Sequence, residues 1–310
     1  MATGGIETES KAGPRPDGRG IRFVLNPGSG SALGKKPIDV LRERLPAAEI
    51  VELDDERTCE EIVRAELVPQ VAGVVGGDGT VSAVAAVAHE MRLPLAVIPG
   101  GTLNHFAQDL GLDSVDDSID AVVAGTTIPV DIAEIDGHKF VNNASIGGYP
   151  QVVDARERLQ RYIGKWPALI VALIYVLRRG HPHNLVIDGR ERRLWFAFFG
   201  NCHYDKPGLV APAGRSLLND GLIDVRMVHA DRKWARLRLF ACVILRRLDR
   251  CSVYEEATLA RITVRSQDGP LRIAADGETF DGGQSFELRK WPSGLCVYAT
   301  RGSGDSVSMS

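Results

Sequence analysis

From Ile21 to Leu110, short runs of consecutive apolar residues alternate with stretches whose apolar positions recur three or four residues apart. Ile21–Leu25, Ile50–Leu53, Ala72–Val75 and Leu95–Ile98 have the length and continuity of buried strands. Pro37–Leu45, Cys59–Leu67, Val81–Met91 and a short stretch near Phe106–Leu110 carry the helical spacing. Pro37 is acceptable in a first helical turn, and Thr58 is placed to cap the helix that follows it. Continuous apolar strands that alternate with helices predict a parallel sheet covered by helices. Ligands of such sheets bind in loops at the carboxyl ends of the strands.

After about Val130 the pattern changes to hairpins. Asp136-Gly137 separates Val130–Ile135 from Lys139–Asn143, and Asp188-Gly189 separates Leu185–Ile187 from Leu194–Phe199. Asp-Gly between apolar runs is a strong hairpin signal. Further strands are expected at Leu222–Val228, Arg261–Arg265, Leu271–Ala275, Ser285–Arg289 and Leu295–Ala299, with helical insertions near Arg156–Arg179 and Arg232–Leu248. The expected fold class is therefore α/β plus mainly antiparallel β. A parallel-sheet domain covers 21–129 and a β-sandwich-like domain covers 130–290. Residues 1–20, rich in Gly, Pro and charge without an apolar run, read as a flexible leader. Residues 291–310 read as a segment that can return to the first domain and ends in a flexible tail.

Length and composition fit this reading. The chain has 310 residues, room for two domains, and 44% of them are hydrophobic, enough for a sizeable core. With 37 basic and 40 acidic residues and only 6% aromatics, the sequence argues against a general nucleic-acid binder. The start has no apolar core of a secretory signal, and the longest apolar run, Trp166–Leu177, is too short to span a bilayer. Cys59, Cys202, Cys242, Cys251 and Cys296 are scattered without a C-x-x-C pair, as expected of reduced thiols in the cytoplasm.

The candidate chemistry lies in three loops, each directly after an expected strand. They are Asn26-Pro27-Gly28-Ser29-Gly30, Gly76-Gly77-Asp78-Gly79-Thr80 and Pro99-Gly100-Gly101-Thr102-Leu103-Asn104. Glycines after a strand let backbone N–H groups reach phosphate oxygens, and a following helix adds its positive N-terminus. Asp78 would repel those phosphates unless Mg²⁺ lies between them. Named phosphate motifs fail when counted. Gly34-Lys35 has Ser29 where a Walker loop needs Gly and is followed by Lys36, and Gly28-Ser29-Gly30 has its next glycine at 34 rather than 33. Protein-kinase loops are absent. Two further segments, Leu217–Leu222 and Asp276-Gly277-Glu278, read as turns on their own; the first also offers one carboxylate and main-chain carbonyls to a cation.

Taken together, the ordered set NPGSG, GGDGT, PGGTLN, LNDGLID and DGE resembles the diacylglycerol kinase catalytic family, in particular its bacterial soluble lipid kinases, which are related to sphingosine kinases. The resemblance runs from about Ile21 to Ala299. It implies transfer of the γ-phosphoryl group of ATP to a lipid hydroxyl, in a cleft between an N-terminal nucleotide-binding domain and a C-terminal lipid-substrate domain. It assigns ATP contacts to Asn26, Gly28, Ser29, Thr58, Gly77, Asp78, Gly79, Thr80, Val81, Ser82 and Thr102. The neighbouring loop residues Pro27, Gly30, Gly76, Gly100, Gly101 and Asn104 belong to the same binding set. It places a structural or regulatory Mg²⁺ on Asp220 and the main-chain carbonyls of Leu217 and Leu222. Asp276 or Glu278 is the base, and Asp78 holds the active Mg²⁺ through water. His105 stands where the family often has an acid and Gln108 where it often has Lys or Arg, which touches the grip on the acceptor headgroup. NAD kinases are disfavoured because nothing after Gly101 resembles their hydrophobic segment.

Diacylglycerol, giving phosphatidic acid, is the expected acceptor. A sphingoid base, phosphatidylglycerol, or a lipid- or nucleotide-binding regulatory role without turnover are the alternatives. From Arg226 to Arg250, eight basic residues face only two acidic ones, and Trp234, Leu237, Phe240, Ala241, Ile244, Leu245 and Leu248 recur between them at helical spacing. Such a stretch fits an interfacial helix on an anionic membrane, and the Arg156–Arg179 stretch is similar. The expected location is cytoplasmic, at the inner face of the membrane; a homodimer is left open. His181-Pro182-His183 as a metal pair and Cys202-His203 as a nucleophile–base pair are disfavoured. Asn142-Asn143 with Gly147-Gly148 is expected to line the cleft.

Overall fold

Four apolar runs become neighbouring parallel strands in a computed structural model that describes residues 12–28, 37–101, 103–147, 181–205, 214–245 and 247–300. They are β1 (Ile21–Leu25), β2 (Glu49–Glu52), β3 (Val71–Gly76) and β4 (Leu95–Pro99), in the order β4-β3-β1-β2. Every residue of β1, β3 and β4 is buried, as helices on both faces of a parallel sheet require. The helices are α1 (Pro37–Arg44), α2 (Cys59–Val63), α3 (Asp78–Met91), α4 (His105–Asp109) and α5 (Val115–Ala124). Leu41, Ile62, Val84, Phe106 and Ile119 carry their apolar faces onto the sheet.

Three details differ from expectation. α2 stops at Val63, short of the expected Leu67, which is 81% exposed. α3 begins at Asp78 rather than Val81, so the second glycine loop is the end of a strand joined directly to a first helical turn. α5 was not anticipated, although Ser114 and Asp117 form a capping box and Gly125 closes it at φ +74°. Residues 12–20, expected within a flexible leader, are held against the body. Arg15 N–H donates to Val122 O, Ala47 N–H to Asp17 O, and the Tyr298 hydroxyl to Gly13 O.

The second half is antiparallel apart from its return to the first. It contains β5 (Thr127–Ile135), β6 (His138–Phe140), β7 (Asn143–Gly147), β8 (His183–Ile187), β9 (Arg190–Asn201), β10 (Ile223–His229), helix α6 (Ala235–Ile244), β11 (Tyr254–Leu259), β12 (Ile262–Ser266), β13 (Arg272–Ala275), β14 (Glu278–Asp281) and β15 (Ser285–Tyr298). Asp136-Gly137, Asp188-Gly189 and Asp276-Gly277 all have positive φ at both residues, the hairpin geometry that Asp-Gly favours. β7, β11 and β14 were not anticipated, and the strand expected at Lys139–Asn143 ends at Phe140. The two strands expected at 285–289 and 295–299 are one strand, β15, broken only by a register shift between Trp291 and Leu295.

β15 organises the molecule. Residues 285–288 pair with β12 and residues 288–298 run beside β5, while Val297 lies parallel to Leu95 of β4. All fifteen strands thus form one sheet, parallel at the N-terminal end and antiparallel beyond it. One apolar cluster fills the parallel part, and a second lies on the inner face of β7, β9, β10, β12 and β13. A third joins Trp195, Phe196 and Phe198 to α6 through Ala235, Leu239 and Val243. The expected helical insertion at 156–179, Gly148 and the tail beyond Thr300 lie outside the described residues.

Candidate active site

The glycine loops meet because their strands are neighbours. Asn26 accepts the Gly28 N–H at 3.0 Å and donates to the Thr80 hydroxyl at 2.9 Å, tying the end of β1 to the first turn of α3. Gly100 N–H donates to Gly76 O, so the β3 and β4 loops continue their pairing. A Cβ on Gly101 would stand 2.6 Å from the Gly77 Cα, so this approach of two main chains requires glycine. Asn104, left-handed at φ +50°, closes the third loop on itself: its side chain accepts the Gly101 N–H and donates to the Gly101 carbonyl, both at 2.8 Å. Pro27 and Gly28 are exposed. Thr58 caps α2 with its hydroxyl, accepting the Glu61 N–H. Val81 and Ser82 are buried in α3. Ser29, Gly30 and Thr102 lie outside the described residues.

Asp78 opens α3, and its carboxylate faces the first turn of α4. Its oxygens accept the N–H groups of His105 and Phe106 at 3.2 Å each and the Asn142 side-chain amide at 3.5 Å. These three bonds are long and come from the first turn of α4 and from the segment before β7. The carboxylate therefore keeps lone pairs for a hydrated cation carried by a nucleotide. His105 and Gln108, the two departures from the family pattern, are both exposed, and Gln108 donates to Leu103 O.

The Asp276-Gly277-Glu278 turn separates two carboxylates that the sequence leaves equivalent. Asp276 is buried, and its oxygens accept the backbone N–H groups of Val141 (2.7 Å), Asn142 (2.9 Å) and Asn143 (2.9 Å), with the Ser82 hydroxyl as a fourth donor. Burial pushes its carboxyl above the ordinary range while those four bonds pull it down. Glu278 is exposed, and its Oε1 reaches 3.5 Å from where a Cβ on Gly79 would be. Between them lies an open cleft of about 250 Å³ lined by Gly79, Ser82, Glu90, Lys139, Asp276 and Glu278. Burial raises the Cys59 thiol and the charge of Glu278 adds to the rise, which brings the start of α2 into the same electrostatic neighbourhood.

The third constellation includes residues that sequence reasoning missed. Arg215, fully buried, donates to Asp109 (2.7 Å), Val141 O (2.7 Å), Asn201 O (2.8 Å) and the Asn142 side chain (2.9 Å). Asp131, buried in β5, accepts the N–H groups of Ser293 (2.7 Å) and Gly221 (2.8 Å). The implied Mg²⁺ ligands Asp220 and Leu222 lie next to it, with Leu217 exposed nearby in the chain. The ammonium of Lys290 sits among them: 3.1 Å from Asp131 Oδ2, 3.1 Å from Asp220 Oδ1, 3.2 Å from the Cys202 sulfur and hydrogen-bonded to Leu222 O. A divalent ion on the same oxygens, at the 2.0–2.1 Å typical of Mg²⁺, would lie against that ammonium. The implied structural Mg²⁺ therefore does not fit this set of residues. Cys202 and His203 diverge: the thiol is buried against Lys290, and the imidazole is exposed.

The basic stretch splits in two. Arg226 belongs to β10, where it is buried and paired with Asp224 at 2.8 Å, so it is no part of an interfacial surface. α6 buries Ala235, Leu239 and Val243 and leaves Trp234, Leu237, Ile244 and Leu245 at least half exposed among Arg232, Lys233, Arg236, Arg238 and Arg247. Arg246 lies outside the described residues. Among those residues no helix is long and apolar enough to cross a membrane.

Residues 20–135 match the model of the diacylglycerol kinase catalytic domain. A diacylglycerol kinase of Mycobacterium tuberculosis is 30% identical over 217 residues, 66% of this chain and 69% of the relative. One from Bacillus subtilis is 27% identical over 83% of this chain and 89% of its own length. A Shigella dysenteriae relative named "Probable lipid kinase YegS" is 26% identical over 57% of this chain and 62% of its own. The crystal structure of a diacylglycerol kinase from Bacillus anthracis strain Sterne superposes with a TM-score of 0.64 at 17% identity, covering 90% of this chain and 96% of that one, which shows the shared fold.

Proposed function

Since the chain belongs to the diacylglycerol kinase catalytic-domain family and is a lipid kinase of that family, we propose that it phosphorylates diacylglycerol from MgATP and that Glu278 is the base. One observation carries the choice of base. Asp276 spends its oxygens on three buried backbone N–H groups, whereas Glu278 stands exposed on the cleft opposite the first turn of α3. In this reading the triphosphate lies on the glycine loops, with N–H groups and the α3 N-terminus facing its oxygens. Asp78 would hold the nucleotide's Mg²⁺ through water, an ion that would neutralise charge on the phosphate oxygens. The lipid hydroxyl oxygen attacks the γ-phosphorus, its proton passes to Glu278, the bond to the β,γ-bridging oxygen breaks, and ADP leaves.

The acceptor is reached at a membrane surface. Exposed Trp234, Leu237, Ile244 and Leu245 among basic side chains support contact with anionic lipid. Diacylglycerol is preferred over other lipid alcohols on the names of the M. tuberculosis and B. subtilis relatives. The test is ATP turnover with vesicles containing diacylglycerol, a sphingoid base or phosphatidylglycerol, with the product identified by mass. Phosphatidic acid as the main product is expected. Phosphorylation of another alcohol alone would replace the acceptor, and ATP consumption with no lipid product would end the proposal.

A further inference from the structure

We infer that Lys290 is the resident cation of the Asp131–Asp220 site, and that its ammonium stands where the family resemblance implies a structural Mg²⁺. Phe286 and Leu288 point into the core, so position 290 has the same inward parity, and its side chain is only 1% exposed. An amine driven into the interior needs anions and hydrogen-bond acceptors around it. Lys290 finds two carboxylates from different elements, Asp131 in the middle of β5 and Asp220 before β10, and the carbonyl of Leu222. Cys202 completes the shell as a neutral thiol, which burial pushes up to about 12.

The carboxylates are fixed independently of the cation. Asp131 is clamped by the N–H groups of Ser293 and Gly221, and Asp220 by those of His203 (2.8 Å) and Leu222 (2.8 Å). Asp131, Cys202 and Asp220 also form the one group of at least three potential metal-ligating side chains found among the described residues. The cavity is thus shaped for a cation and already holds one, covalently attached through its own strand. A chain so built gains nothing at this place from free magnesium. The inference concerns stability and metal binding, and it stands whichever lipid accepts the phosphate.

The experiment uses the full chain without nucleotide, titrated with Mn²⁺ as the probe and followed by electron paramagnetic resonance, with Asp220→Asn as reference. No bound Mn²⁺ that this variant removes is expected, and excess MgCl₂ leaves the melting temperature of the wild type unchanged. A bound ion lost in Asp220→Asn, with a magnesium-dependent rise of roughly 5 °C or more in the wild type, would overturn the inference. Lys290→Met, which keeps the length of the side chain and removes its charge, is expected to melt lower and to recover part of the loss with Mn²⁺ or Mg²⁺. Wild-type stability in this variant without metal would equally refute the role. If Lys290→Met is not recovered folded, the wild-type titration decides alone.

Discussion

Asp276→Asn and Glu278→Gln differ by one oxygen-to-nitrogen change each, at positions two residues apart, and should fail in opposite ways. Asparagine at 276 can still accept the N–H groups of Asn142 and Asn143 on its oxygen. Its amide then faces the Val141 N–H, which the wild-type Oδ2 accepts at 2.7 Å. One buried donor is orphaned and the remaining bonds lose their charge, for a total of roughly 2–4 kcal/mol. In a chain of this size that lowers the melting temperature by about 3–6 °C. Glutamine at the exposed Glu278 should change stability by no more than about 0.5 kcal/mol while turnover falls roughly 10²–10⁴-fold. Differential scanning fluorimetry and a radiolabelled-ATP assay on vesicles read both effects. If Asp276→Asn melts like wild type yet is inactive, while Glu278→Gln turns over normally, the assignment of base and brace is reversed and the reasoning from hydrogen-bond saturation is wrong.

Three further outcomes test other parts of the site. Asp78→Ala should reduce turnover roughly 10³-fold or more and remove about 1 kcal/mol by uncapping α4, whereas near-normal turnover with every lipid acceptor would undo the kinase site. Gly101→Ala pushes a methyl to 2.6 Å from the Gly77 Cα; a loss of about 1–3 kcal/mol and a higher KM for ATP are expected, and unchanged ATP binding in a stable variant would dissociate the loops from the nucleotide. Replacing exposed Leu237 and Leu245 together by Ser should leave the melting temperature unchanged and weaken co-sedimentation with anionic vesicles by about tenfold or more, an effect that unchanged binding would contradict.

Much of this site is legible in the chain because each glycine loop directly follows an apolar strand, and neighbouring parallel strands must bring their carboxyl ends together. The two members of Asp276-Gly277-Glu278 are not separable that way. What divides them is the left-handed backbone at Asp276 and the distant segment 141–143 that its carboxylate captures. Lys290 leaves a fainter trace. In the alternation Phe286, Leu288, Lys290 the lysine keeps the inward parity, but Arg289 beside it makes the pair look like a solvated edge. Asp131, the one acid of residues 128–133, carries the same kind of signal: a charge in the most buried part of its strand. Arg215 gives none, since its partners Asp109, Val141, Asn142 and Asn201 are all distant in the sequence.

The segment 141–143 explains why so much charge is buried so near a cleft. Its N–H groups go to Asp276, its carbonyls at 141 and 142 receive Arg215, Asn201 and Tyr204, and the Asn142 amide reaches Asp78 in the other half of the molecule. Asn201 in turn donates to Asp131 O, next to the carboxylate that holds Lys290. Apolar packing could fill this volume more cheaply, because buried ions seldom raise stability over a hydrophobic replacement. It could not, however, fix the direction of a peptide N–H. A network this densely bonded, in which the Asn201 Oδ1 is the buried side-chain atom left without a donor, tolerates few alternative arrangements. Through it the turn that carries Glu278 is bonded to the segment whose Asn142 amide reaches Asp78, so the chain's own hydrogen bonds connect the two sides of the cleft.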